Sequence, residues 1–560
     1  MTPFGRFRWR VFLALLGSTL ACVIVFWALI PPTYLTNDDV GIRRDLEGLT
    51  APDAVPTGYV LIAHSLLGWA LVGLQRAVQV HIWDFVVGGL FILSIAVVLT
   101  GAWSIAAGAG RLLAVAAVLS VVAPLLAGMQ VTISATLAGS AAMITAAMEL
   151  QLPAPRRSVL VASAVLLVLG LLVRPMGAAA GGLLAVGLLM PLAVCDRQLR
   201  SIRLGRLGIA AAALAVSAGA LVYLDGALYQ LSPAWGAYQQ DNWMTARLFE
   251  WGGDLPASVV EPLRTQLGWT ANDWELLRRF WGVDPGIHSH ARIEMLYGAW
   301  SALVDWRLRL GWLMGRTVAD LTGATFLRLF SQSAIAMAAA ALVAVALANR
   351  RGVAALTAST AIFFAACIAM EIGFKELPFR LFAPLQVCFV LAVLVTSRAL
   401  NRPARTLLTA LCAAAACVLL VREARAAGSD ALADSRQSRD VDAQVSELLQ
   451  LHPSLLVLHA DSFPSEHWWR PFHTPPARLP AIQLGLNNHN PYVQRFLTRS
   501  YPQSLLRAIC TDPSILVVGE RGRLDPVTTF MHEHHGIEVE WTEVYAGSFR
   551  VWRCAPKGAR

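Results

Sequence analysis

The sequence predicts a polytopic α-helical membrane protein of about 11 transmembrane helices, carrying a small C-terminal α/β domain. Three observations predict it. First, hydrophobic residues make up 56% of the 560 positions and charged residues only 14%, where soluble domains carry roughly a quarter charged residues. Second, apolar runs of about twenty residues recur, the length that matches a bilayer's hydrocarbon core. Third, the apolar runs stop near residue 423, and short strand-like and helix-like patterns follow.

The elements can be taken in order. Val11–Ile30 follows Arg6, Arg8 and Arg10; it is too long for a signal-peptide core and no small-residue cleavage site follows, so it reads as a retained first span. Further spans are expected at 83–103, 111–128, 131–149, 158–173, 176–195, 207–225, 330–349, 353–372, 379–397 and 405–422. The linkers "QLPAPRRS", "CDRQLRSIRLGR", "NRRG" and "SRALNRPAR" are rich in arginine, which places them in the cytoplasm. The stretch 55–79 is apolar enough to be a span. Counting it as one would put the arginine loops outside, so it reads as an amphipathic helix on the outer interface, an assignment that His64, Trp69, Gln75 and Arg76 suit.

On this layout 1–423 form the membrane domain, with an acidic outer loop at 32–82 and a large outer loop at 226–329. Residues 424–560 form an extracytoplasmic domain. The large loop holds nine of the 18 tryptophans, among them Trp235, Trp243 and Trp269, a residue that favours the headgroup layer and also stacks on sugars. "MLYGAWSALVDWRLRLGWLMGRTVADL" reads as a second interfacial helix. In the tail, "SLLVLHA" and "SILVVGE" read as buried strands and "DPVTTFMHEHHG" as a helix stopped by glycine. "IEVEWTEVYAGSFRVWRC" alternates as strands do. Cys510 and Cys554 are the two cysteines in polar sequence and can form one disulfide in an oxidising compartment.

The net charge of +9 sits in short interhelical loops with no basic–aromatic surface pattern, which argues against nucleic acid as a partner. No Gly-rich phosphate loop occurs, and no cytoplasmic domain is large enough for a nucleotide sugar. The histidines in "HADSFPSEHWWRPFH" and "MHEHHG" match no metal-ligand spacing. "LGLNNHNPYVQRF" is polar enough to line a carbohydrate cleft, although asparagine-rich turns are common.

The chemistry is concentrated in "TNDDVGIRRDLEG". Desolvating a carboxylate beside a membrane is costly, so Asp38 and Asp39 need a reason. One reason is capping: Asn37 or Asp38 would cap a helix beginning near Val40. The other is a general base that takes a proton from a sugar or lipid hydroxyl.

An acidic first outer loop followed by an interfacial helix with Pro56 and Tyr59 resembles the GT-C superfamily of integral-membrane glycosyltransferases, in its aminoarabinose and mannosyl transferase branch. The resemblance covers most of residues 1–400. It implies that Asp38 stands for the catalytic aspartate and Asp39 for its acidic neighbour, with Arg43, Arg44 and Tyr59 binding substrate. "LLVRPMGAAAGGL" and "GFKELPFRLFAPL" are similar to GT-C segments too, and Arg174, Lys375 and Arg380 would hold the leaving phosphate. It further implies a polyprenyl-phosphate-linked sugar donor, a glycan, lipid or protein acceptor, and a bacterial inner-membrane location. Some members use a divalent cation; the sequence leaves that ion open. That branch carries a second acid where this chain has "GMQVTISATLAG". Asp241, Glu250, Asp254, Asp273, Glu275 and Asp284 are candidates to replace it. A lipid-linked glycan flippase and a non-catalytic envelope scaffold are the alternatives.

Overall fold

The computed structural model describes residues 7–105, 110–126, 128–195, 200–251, 257–303, 354, 357–367, 382, 384–391 and 433–558, with 435 and 486 excepted. The spans expected at 330–349 and 405–422, the outer parts of those at 353–372 and 379–397, most of the second interfacial helix, and Lys375 and Arg380 lie outside them. Within the described residues, α1 (Trp9–Leu29), α4 (Ile82–Ile105), α6 (Val131–Leu150) and α9 (Arg200–Gln230) are long and apolar enough to cross a membrane. The apolar helices α7 (Arg157–Val173) and α8 (Pro175–Cys195) also stand where spans are expected. Most of α1 and α9 is exposed, with Leu13, Ile24, Val25, Ile209 and Val216 turned outward. An apolar surface of that extent requires lipid or protein cover.

Helix α6 is the axis of the bundle. Its sequence is mostly Ala, Ser, Thr and Gly, so neighbouring backbones close in on every side, and 89% of its most apolar window is buried, against 11% for α1. Gly139 marks the tightest approach: a Cβ there would sit 2.0 Å from the Ala178 carbonyl oxygen of α8. Twenty residues at 1.5 Å each give α6 a length of about 30 Å, one hydrocarbon thickness.

Helix α5 (Gly110–Val122) is shorter than its expected span. A 3₁₀ turn containing Pro124 ends it, since proline lacks the N–H that would continue the ladder. Then β2 (Gly128–Met129) pairs in parallel with β1 (Thr33–Tyr34), tying the loop before α6 to the acidic loop. The stretch 55–79 is helical only at α3 (Ser65–Val78), about 21 Å long and too short to cross. Asp225 of α9 anchors its start, accepting the Ser65 N–H (2.7 Å) and hydroxyl (2.6 Å).

The C-terminal segment builds a five-stranded sheet in the order β4 (Ala481–Leu484), β3 (Leu455–His459), β5 (Ile515–Val518), β7 (Arg550–Pro556), β6 (Val539–Ala546). The first three strands are parallel and the last two antiparallel. Alternate residues serve different layers, as the two-residue period of a strand dictates. Leu456, Leu458, Leu516 and Val518 face the helix at 436–449 and the bundle core. Leu455, Val457, Ile515 and Val517 face the helices Pro491–Ser500, Leu505–Thr511 and Asp525–His535. The last of these stops at Gly536 in the left-handed region, φ 65°, and Cys510 is disulfide-bonded to Cys554.

Candidate functional site: a cavity between the acidic helix and the sheet edge

The acidic loop folds as α2 (Asn37–Glu47), which starts three residues before Val40. Thr36 occupies the N-cap position without a side-chain capping bond, so Asp38 and Asp39 fall in the first turn rather than at the cap. Both carboxylates still benefit from the positive end of the helix dipole. Gly48, φ 69°, ends the helix in the left-handed region that glycine adopts freely.

The helix period separates the acids. Asp38, Gly41, Ile42 and Asp45 share one face (i, i+3, i+4, i+7) and line a cavity of about 440 Å³. Asp38 is half-buried there. Asp39 points the other way, fully buried, and accepts the Val131 N–H at 3.0 Å. Burial, then the Asp38 charge, hold the Asp39 carboxyl well above the ordinary range, opposed by that N–H and by Arg174. Arg174 is half-buried between α7 and α8, where Pro175 forces it into extended backbone.

Across the cavity stand Ala460 and Asp461 after β3, Leu484 and Gly485 at the end of β4, and Arg523 after β5. These are the carboxyl ends of the parallel strands. Chain leaving β3 turns toward β4, while chain leaving β5 goes on toward β6 and β7. Open α/β sheets form their ligand crevices at such a switch point. Asp461 and Arg523 pair at 2.6 Å, and the side chain of Asn487 completes the wall.

Asp45 is the second carboxyl that α2 turns to the cavity, 5% exposed. The Thr50 hydroxyl donates to it at 2.6 Å. Burial nevertheless pushes its pKa up to about 7, against the pull of Thr50 and Arg44.

Arg43 and Arg44 are committed to protein partners, and neither lines the cavity. Arg43 donates to Glu47 (2.7 Å) and to the carbonyls of Arg470 and His473 (2.6 Å each). Arg44 donates to Gln483 Oε1 at 2.6 Å and stacks over Trp469. Tyr59 stacks on Trp235 at 5.0 Å within an aromatic cluster that includes Tyr229 and Tyr238. Asp38 and Asp39 thus serve opposite faces of α2, Arg174 acts on Asp39, and Arg43, Arg44 and Tyr59 bond or pack against protein groups.

The asparagine turn does reach the site: Asn487 lines the cavity, Asn488 holds the Gly485 N–H, and Asn490 caps the next helix. The tail histidines disperse. His459 stacks on Trp281 and donates to the Arg279 carbonyl, burial pulling its pKa to about 4, while His534 bonds Asp273 at 2.9 Å. Gln483 and Arg523 carried no sequence signal, and Asp461 stood out only within the histidine-rich stretch, because only the strand order brings them opposite α2.

No family model and no curated protein matches the chain. Among solved structures, the crystal structure of ArnT from Cupriavidus metallidurans bound to undecaprenyl phosphate is similar over 97% of both chains, at 13% identity and a TM-score of 0.37. A score at that level is below what marks a shared fold.

Proposed function

We propose that the protein is a membrane glycosyltransferase that moves a sugar from a polyprenyl-(pyro)phosphate carrier to a glycan, lipid or protein acceptor, with Asp38 as general base. The observation that carries this reading is the half-buried Asp38 in a cavity of about 440 Å³ at the end of a helical bundle. The acceptor hydroxyl gives its proton to Asp38 as its oxygen bonds the anomeric carbon. The carbon–oxygen bond to the carrier breaks, and the electron pair leaves with the phosphate. Positioned proton transfer of this kind contributes about 10²–10⁴ in rate. Asp39 is the positioning neighbour, holding α2 to the start of α6. Arg174, with Lys375 and Arg380, is assigned to the leaving phosphate, whose growing charge cations stabilise.

Bundle polarity supports an outward site. Arg156 pairs with Glu149 at 3.0 Å, and Arg206 donates to the Leu150 and Leu152 carbonyls. The arginines thus gather at the end of α6 opposite Asp39, the end that arginine bias assigns to the cytoplasm. An outward site needs a donor delivered on a lipid, since nucleotide sugars do not cross a bilayer.

Mass spectrometry of envelope glycans tests this. Deleting the gene removes a defined mass increment, the wild-type chain restores it, and Asp38→Asn does not. Full restoration by Asp38→Asn, with normal protein levels, would rule out the base.

A further inference from the structure

A second cavity, of about 320 Å³, lies beside the first and is built around Asp241. Asp241 belongs to α10 (Pro233–Thr245) and is 2% exposed. His290 Nδ1 donates to one carboxylate oxygen at 2.6 Å, and His489 lies 3.5 Å from the other. These residues come from three separate stretches of chain, so the cluster is a product of folding and not of local sequence. Gln494 adds an amide. Tyr238 is the partition: it lines this cavity, and its hydroxyl donates to Asn487, a wall of the first, at 3.0 Å.

The chemistry selects a ligand class. Among the described residues, no lysine or arginine lines this cavity, so a phosphate would find neither to pair with. Imidazole and amide groups both donate and accept, which suits hydroxyls. Burial lowers the His489 pKa to about 4 and lowers that of His288, so both are uncharged near neutrality. Two prolines, Pro285 and Pro491, give the apolar surface against which a sugar ring packs. The volume also falls within the range of small-ligand pockets, about 300–1,000 Å³.

We infer that the Asp241 cavity is a second sugar subsite, contiguous with the Asp38 cavity across Tyr238 and Asn487, so that the acceptor is a glycan longer than one residue. The inference rests on the glycosyl-transfer reading above, but its test reads binding and needs no transfer. Saturation-transfer NMR on the purified full chain would use maltotriose and chitotriose, with glucose and N-acetylglucosamine as single-residue controls. The trisaccharides are expected to give the stronger signal. Asp241→Asn, which keeps the shape, and Ala237→Phe, which fills the cavity without removing a polar group, should each weaken binding about tenfold. Millimolar inorganic phosphate should not displace the sugar. Trisaccharide signal unchanged in both variants, displacement by phosphate, or no signal from any of the four sugars would overturn the subsite. If Asp38→Asn restores the envelope glycan while the trisaccharides still bind through Asp241, the transferase reading fails and the sugar subsite stands.

Discussion

Asp45 shows how one buried carboxyl ties the cavity to pH. Its proton is held up to about pH 7 in the folded chain, against an ordinary value of 3.8. Between those values the folded state keeps a proton that the unfolded state has released. Stability contributed by this group is therefore complete below about pH 4 and falls as the pH rises to 7, by at most about 1.4 kcal/mol per unit. Asp45→Asn removes that slope. Thermal unfolding of wild type and variant at pH 5, 6 and 7 checks it: the variant's dependence should be flatter, and parallel curves would reject the assignment. Asp39 acts in the same direction, so some slope remains. The acids were legible in the sequence as costly residues beside a membrane, but their division of labour was not. It depends on helix phase: with α2 beginning at Asn37, Asp38 and Asp45 share the cavity face while Asp39 meets Val131.

At the scale of elements, α2 is held between bundle and sheet, and Arg43 is the tie. Its guanidinium joins Glu47 of its own helix to two carbonyls more than 420 residues away. Arg43→Ala would leave Glu47 and both carbonyls short of a donor; breaking such a buried pair costs about 3–5 kcal/mol. Arg43→Lys should recover only part, because one ammonium cannot reproduce the planar fork. Equal thermal stability of wild type and both variants would show that the tie contributes nothing. Helix positions such as α4, α6 and α7 could be read from hydropathy, since each run is set by local composition. The early end of α5 follows from Pro124. The role of Arg43 could not be read, since its partners are main-chain atoms of a distant loop. The resemblance implied a substrate ligand there, while the helix turns Arg43 to a different face from Asp38.

For the whole molecule, these contacts fix which parts share an end of the helical bundle. Arg44 reaches Gln483 of β4, the Phe472 N–H donates to Asp84 at the start of α4, and Arg499 pairs with Asp53 of the loop after α2. The acidic loop and the sheet therefore stand on one side. The turn at 151–156 stands about 30 Å away along α6, on the side of the arginines. Single cysteines at exposed positions convert this into a measurement: Val55→Cys beside the acidic helix, Arg521→Cys beyond β5 and Ser158→Cys at the far end. A membrane-impermeant maleimide applied to intact cells should label the first two, and Ser158→Cys only after permeabilisation. Labelling of Val55→Cys and Ser158→Cys from the same side would contradict α6 as a crossing helix. Labelling of Ser158→Cys alone would turn the acid site to the cytoplasm, where nucleotide sugars are present and a lipid-linked donor loses its rationale.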